Sequence, residues 1–349
     1  MTLPVEPPVE PMLSAPEDEL PAGDEWRYEP KWDGFRCIVF REGDRLLLQS
    51  RKTQPLERYF PELLPPLKAA LPERVVADGE IVIAGPRGLD FESLQLRIHP
   101  AASRVQKLSR EIPASFVAFD LLAVGDEDLR ERTYDDRRAR LEQVLRQDSQ
   151  IFLTPQTRSV EEARRWFVEY EGAGMDGIIA KTGAQPYVSG ERVMVKVKHH
   201  RTADCVVGGY REHKNGGLGS LLLGMYDENG VLHHVGHTTS FSAAEKVKVM
   251  KMLEPLKEGA DSFGKGRTPG APSRWSSGKE LEWNQLRPEL VCEVTFDYMQ
   301  GNRFRHAAGF LRWRTDKAPS QCTFDQLSRP KSFSLEEVIR RRQGAVRSE

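Results

Sequence analysis

Glu29-Pro30-Lys31-Trp32-Asp33-Gly34-Phe35-Arg36 places a nucleophile, an acid and a cation within the six residues from Lys31 to Arg36. A lysine attacks phosphorus as the neutral amine, so it needs cations or burial nearby to lower its pKa, and an oxygen ligand to steer a metal. Asp33 and Arg36 are candidates for those parts. An extended backbone puts Lys31 and Asp33 on one face by period-two alternation, and Gly34 permits close backbone approach to a ligand. Alone, the pattern reads equally well as a polar turn. The rest of the chain decides.

Downstream, Cys37 to Phe40 continues a strand, Arg41-Glu42-Gly43-Asp44 turns it and Arg45 to Gln49 returns, ending at Ser50-Arg51. Val75 to Ile83 reads as a buried strand carrying Asp78 and Glu80 on one face. A buried carboxylate needs a metal, a cation or donors, which favours a site there. Ser115 to Leu122 is a further apolar strand with Asp120 preceded by Phe119, an aromatic that is core by default. Thr133 caps a helix with Asp136 in its first turn, and Arg137, Arg138 and Arg140 fall on its solvated side. Ser159 opens a second helix, closing at Gly172.

Met175 to Lys181 is a short strand with Asp176 at its mouth and Lys181 at its end. Their opposite parity lets only one face a ligand, and Asp176 is the choice. In Val193 to Lys198 the valines alternate with Met194, Lys196 and Lys198. Two lysines side by side repel unless an anion lies between them; an exposed sheet face is the competing reading.

From about Arg201 the chain turns to short strands: Ala203 to Arg211, Ser220 to Tyr226, Val231 to Thr238, Leu290 to Met299 and Gly309 to Arg314, with a helix from Ser242 to about Lys257. That is the element count of a small OB-type barrel. Lys214-Asn215-Gly216-Gly217 is a hairpin rather than a phosphate loop, since no helix follows it. A Gly, Ser and Pro-rich loop fills Glu258 to Lys279, and a last helix runs from Ser334 to Gln343 with a capping box at Ser334 and Glu337.

At 349 residues and 39% hydrophobic content, two ordinary domains are expected. Nothing approaches an uninterrupted apolar membrane span or a signal peptide, so a cytoplasmic protein is expected. The four cysteines are widely spaced, which excludes a disulfide framework and zinc ribbons, and no histidine pair has metal-ligand spacing. Residues 1 to 25 hold seven acids and no Lys or Arg, leaving six excess positive charges in the rest. They read as an acidic, Pro-rich arm, mobile or hugging the surface. Basic clusters at Lys196 to Arg201 and Arg303 to Lys317 make anion binding a competitor to plain solvation.

In this order the pieces resemble the covalent nucleotidyltransferase superfamily, most closely the bacterial ATP-dependent DNA ligases of the LigC type and the ligase module of LigD. EPKWDGFR looks like motif I, Ser50-Arg51 like motif Ia, Asp78-Gly79-Glu80 like motif III, Phe119-Asp120 like motif IIIa, Asp176 to Lys181 like motif IV, Lys196-Val197-Lys198 like motif V, and Arg314-Thr315-Asp316-Lys317 like motif VI. The resemblance implies an α+β chain: an acidic arm at 1–25, an ATP-grasp-like adenylyltransferase domain of antiparallel sheets with flanking helices at 26–200, an OB-fold β-barrel at 201–328 and a C-terminal helix or tail at 329–349. It implies that Lys31 takes AMP from ATP, passes it to the 5′-phosphate of nicked double-stranded DNA, and that the 3′-hydroxyl then seals the strand. Glu29 would read adenine and Phe119 stack on it. Arg36 and Arg51 would lie near the ribose and the nick phosphate, and Glu80 would hold the ribose or a metal. Lys196 and Lys198 would clamp the α-phosphate, Mg²⁺ (or Mn²⁺) would sit at Asp33, Glu80 and Asp176, and Arg312, Arg314 and Lys317 would orient pyrophosphate. A monomer, nucleoid-associated in the cytoplasm and working beside DNA-repair proteins, is implied.

One departure is that motif IV usually begins with Glu where this chain has Asp176, one methylene shorter. RNA ligases and capping enzymes share motif I and the lysine pair, so an RNA ligase or another lysine nucleotidyltransferase is the alternative. A catalytically inert OB-type nucleic-acid binder is the alternative from a second class. Glu29 favours adenine, and the retention of Lys31, Glu80, Lys196 and Lys198 favours an enzyme.

Overall fold

A computed structural model describes residues 1–86, 88–199, 201–257, 262–263, 282–327 and 337–339. The expected loop at 258–279 and the helix at 334–343 fall almost entirely outside the described residues. The chain divides into two compact units, Met1–His199 with Pro330–Glu349, and His200–Arg329.

The first unit holds two main sheets. One is ordered Ile151–Leu153, Ser115–Val124, Arg74–Val82, Phe35–Glu42 and Arg45–Ser50, with Glu127–Asp128 paired to its second strand. The other is ordered Leu13–Pro16, Arg192–Lys198, Gly177–Thr182 and Trp26–Pro30. The strand Phe35–Glu42 shows why its residues extend. Cys37 and Val39 enter one buried cluster with Phe60, Leu63 and Leu67, while Ile38 and Phe40 enter another with Val76, Leu122 and Met194. Alternation therefore fills both faces of this central strand, and the second face looks toward the four-stranded sheet.

Three expectations are corrected in this unit. Residues 1 to 25 are not an arm: Leu3, Val5, Val9 and Met12 lie in the cluster with Ile38 and Phe40. Leu13–Pro16 pairs in parallel with Arg192–Lys198, placing Pro16 opposite Lys196. Prolines set these apolar residues at irregular spacing, so they lack the period that marks a strand or helix. Arg137 and Arg138 are buried, not solvated; Arg137 pairs with Asp120 at 2.8 Å, and Arg138 donates to the carbonyl of Thr154. Finally, Lys31 to Gly34 is an irregular crossing between the two sheets, so the parity argument for Lys31 and Asp33 does not apply. Gly34 also packs close to a neighbouring strand: a Cβ there would stand 2.3 Å from the carbonyl oxygen of Ile81.

In the second unit the sheet runs Leu232–Thr238, Leu218–Tyr226, Arg201–Glu212, Val291–Phe296 and Gly309–Trp313. A bridge between Thr238 and Ala308 brings its ends together into the OB-type barrel. Ser242 and Glu245 form a reciprocal capping box on the helix Ala243–Leu253, which packs Val249 and Leu253 into the barrel core with Val207, Leu221 and Val235. Gly216 and Gly217, both at positive φ, close the hairpin that precedes Leu218–Tyr226.

Candidate active site

Lys31 is fixed by its backbone before its side chain is considered. Its N–H donates to the carbonyl of Gly177 at 2.8 Å, and its own carbonyl accepts from the N–H of Asp176 at 2.9 Å. Trp32, beside it, is buried and donates its indole N–H to the hydroxyl of Thr154 at 2.9 Å. The crossing segment is thus held on both sides.

The Lys31 ammonium reaches Asp176 Oδ2 at 2.6 Å, and Lys198 reaches the same oxygen at 2.7 Å. Burial works against the charge on Asp176, yet the two lysines hold its carboxyl below the usual range. Lys196 has its pKa lowered first by burial and then by Lys198, Lys31, Arg192 and Arg51. Four of the expected cations, Lys31, Arg51, Lys196 and Lys198, therefore act on one small region, with Asp176 as the carboxylate bonded to two of them. Such a cluster is suited to a polyanion.

Glu80 is partly buried, and its carboxyl is pushed up to about 7, first by burial, against the pull of Arg36 and Lys31, with Asp33 and Asp78 adding to the rise. Asp33, Glu80 and Lys31 are thus neighbours. Because the folded pKa exceeds the ordinary carboxylate value, the folded state binds more protons than the unfolded chain between about pH 4.3 and 7, and stability falls as pH rises through that window. Glu80→Gln is therefore expected to raise the thermal midpoint over the parent at pH 8, by the equivalent of roughly 2 kcal/mol, and to change it little at pH 5. Midpoints measured at both pH values check this; an equal shift at both would contradict it.

Asp78 is wholly buried and does a different job from Glu80. It takes a two-pronged contact from Arg36, Nε and Nη2 each at 2.5 Å, and accepts from the Tyr187 hydroxyl at 2.7 Å. Tyr187 in turn accepts from the N–H of Met12 at 3.1 Å. Held this way, the Arg36 guanidinium lies 4.5 Å from the Phe119 ring centre. Arg36 and Phe119 are consequently together, with Asp78 of the third motif behind them and a tyrosine, Tyr187, that the motifs did not single out.

Glu29 is buried, and its carboxylate contacts the Tyr134 hydroxyl, Lys181 at 2.8 Å and Arg138 at 3.5 Å. Lys181 also lies 4.9 Å from the Phe119 ring. The parity argument that set Asp176 against Lys181 does not apply here. Asp176 precedes the strand Gly177–Thr182, and Gly177 has φ of +139°, so strand parity does not link the two residues and both reach the site region. A Cβ at Gly177 would stand 2.0 Å from the carbonyl oxygen of Val197, so a side chain is excluded there.

In the second unit Arg314 pairs with Asp204 at 2.9 Å and Asp316 at 2.8 Å, Lys317 with Asp204 at 2.7 Å, and Arg312 with Glu293 at 2.7 Å. Asp204, a lone acid at the start of a long strand, gave no sign of this in the sequence.

Among the described residues no three His, Cys, Asp or Glu side chains form a metal-holding group. The donor set still suits Mg²⁺, which binds through one or two carboxylates and completes its shell with phosphates and water. The crowding of Glu80 by Asp33 and Asp78 is the kind of charge a cation relieves.

Comparison with known proteins accords with this geometry. The ATP dependent DNA ligase domain matches residues 11–198, and the ATP dependent DNA ligase C terminal region matches 214–317. The chain is 49% identical to DNA ligase C1 of Mycolicibacterium smegmatis over 97% of its own length and 99% of that protein. It is likewise 49% identical to DNA ligase C of Mycobacterium tuberculosis, over 97% and 99%. A solved structure from a study of Lig E DNA ligases shares the fold, with a TM-score of 0.56 at 18% identity, covering 87% of this chain and 99% of that one. The chain belongs to the ATP-dependent DNA ligase family.

Proposed function

We propose that Lys31 carries AMP during the sealing of 5′-phosphate/3′-hydroxyl nicks in duplex DNA. The observation that carries this is the sharing of one Asp176 oxygen by the Lys31 and Lys198 amines, with Lys196 close enough to feel both. In the first step the neutral Lys31 amine forms a bond to the α-phosphorus of ATP and gives up a proton to solvent, the bond to the bridging oxygen breaks, and pyrophosphate leaves. Lys196 and Lys198 offset the charge that develops on the α-phosphate oxygens. In the second step a 5′-phosphate oxygen displaces the lysine, which recovers its proton. In the third the 3′-hydroxyl attacks that phosphate and AMP departs.

Glu29 is held for contact with the base by Tyr134, Arg138 and Lys181, and Phe119 supplies the stacking surface. Arg36, braced by Asp78, and Arg51 are the contacts for ribose and nick phosphate. Arg312, Arg314 and Lys317 are phosphate contacts once released from their carboxylates. Asp33, Glu80 and Asp176 are the side chains that would hold Mg²⁺ (or Mn²⁺), which when bound neutralises phosphate oxygens. No described helix is long and apolar enough to cross a membrane.

Incubation with ATP, Mg²⁺ and a nicked duplex tests the reading, with DNA or RNA at the 3′ side as separate substrates. Sealing that requires the 5′-phosphate is expected. Tight nick binding with no enzyme-AMP formed would instead mark an inert nucleic-acid binder.

A further inference from the structure

Tyr187 lies outside every motif, yet its hydroxyl is built into the support of Arg36. A guanidinium ends a long flexible stem, so its direction is set by what its fork meets. Asp78 stands diagonally across from Arg36 on the neighbouring strand, whose Glu80 pairs with Arg36 directly, and takes the fork with both oxygens. A carboxylate can still rotate about its own bond to the chain, and the plane of the fork follows it. The Tyr187 hydroxyl opposes that rotation: it donates at 2.7 Å to Oδ2, the oxygen that also takes Arg36 Nη2. Burial and the charge of Asp78 raise the pKa of the phenol well above its usual value, so the hydroxyl keeps its proton and acts as the donor.

The tyrosine is itself held from two sides. Its backbone N–H donates to the carbonyl of Arg130 at 2.8 Å, and its hydroxyl accepts from the N–H of Met12 at 3.1 Å. The carbonyl of Met12 then faces Arg36 Nη2 at 3.4 Å, which closes a ring of contacts through Met12, Tyr187, Asp78 and Arg36. Upstream, the Gln49 side chain exchanges two hydrogen bonds with the backbone of Val9, at 2.9 and 2.6 Å. Downstream, Glu17 donates its N–H to the carbonyl of Lys196 at 3.0 Å. The segment that carries Met12 is thereby tied on one side to the strand Arg45–Ser50 and on the other to the strand of the lysine pair.

We propose that Tyr187 is a positioning residue of the nucleotide site, acting through Asp78 to aim the Arg36 guanidinium, with the peptide groups of Met12 as its anchor. It rests on Arg36 contacting the ATP ribose. Tyr187 acts at one remove from the nucleotide, so its hydroxyl governs how tightly ATP is held and not how fast the held ATP reacts.

The test follows enzyme-AMP formation under single-turnover conditions across a range of ATP concentrations, on the full chain, for the parent, Tyr187→Phe, Arg36→Lys and the double variant. The phenylalanine keeps the ring and removes only the hydroxyl. It is expected to raise the ATP concentration for half-maximal rate by about 3-fold to 10-fold and to leave the rate at saturation within about 2-fold of the parent. Arg36→Lys keeps the charge and loses the fork, with an expected rise of about 10-fold to 30-fold. The double variant should rise no further, because the hydroxyl then has no fork to aim. Parent behaviour in Tyr187→Phe, or a loss of saturated rate at an unchanged half-maximal concentration, would overturn the proposal and leave the hydroxyl a support of the fold alone. Multiplied effects in the double variant would overturn it too, since Tyr187 would then act on ATP by a route other than Arg36. Arg36→Lys with the parent's ATP dependence would instead remove the ribose reading of Arg36, and the role of Tyr187 with it.

Discussion

Lys31→Ala is expected to abolish transfer of label from ATP to the protein, by at least about 10⁴-fold in single-turnover rate. The reason is chemical and geometric. The amine is the atom that bonds to phosphorus, and no other side chain takes its place: Lys198 is engaged with Asp176, and Lys181 with Glu29. The same variant should still join a nick that already bears AMP on its 5′-phosphate, since that step does not consume the lysine. Measured with both substrates, Lys31→Ala therefore separates loss of the nucleophile from loss of the fold. Residual labelling near the parent rate would move the nucleophile elsewhere.

Asp176→Asn carries the second large effect. One carboxylate oxygen joins Lys31 and Lys198, and the amide keeps the shape while removing the charge. Lys31 and Lys198 then lose their shared carboxylate. An anionic ligand is expected to bind that cluster somewhat more tightly, so KM for ATP should fall. The rate of adenylylation should drop by about 10²-fold to 10³-fold, because the amine loses its orienting contact and any metal loses a ligand. Asp176→Glu, which restores the charge on a longer stem, is expected to retain more than about a tenth of the parent rate. A parallel rise in KM with unchanged kcat in Asp176→Asn would show that the residue only helps to bind ATP.

How far the sequence carried these conclusions depended on distance along the chain. The strand and turn from Cys37 to Gln49 were legible because alternation and turn residues are local, whereas the burial of Cys37 and Val39 in one cluster and Ile38 and Phe40 in another came only with the structure. The lysine pair at 196 and 198 and the carboxylates at 78 and 80 were legible for the same reason. What alternation could not show was a division of labour between Asp78 and Glu80: the first is closed off by Arg36 and Tyr187, the second stays beside Asp33 and Lys31. Nor could it show that Tyr134, 105 residues from Glu29, closes on that carboxylate. Parity failed wherever a glycine or a crossing broke the strand, as at Gly177 and between Pro30 and Phe35. Composition failed at the N-terminus, where prolines and acids suggested an arm while Leu3, Val5, Val9 and Met12 were filling the core.

The stretch from Glu29 to Arg36 holds its place at the centre of the account as a pinned crossing between two sheets rather than a strand. Its lysine is presented to a cluster of cations by the backbone of Asp176 and Gly177. Isolation of the adduct after incubation with ATP and Mg²⁺, followed by peptide mapping, tests that placement directly. AMP is expected on Lys31 in an acid-labile bond and should leave on addition of pyrophosphate. An adduct on Lys181, Lys196 or Lys198, or one formed from GTP and not from ATP, would contradict it.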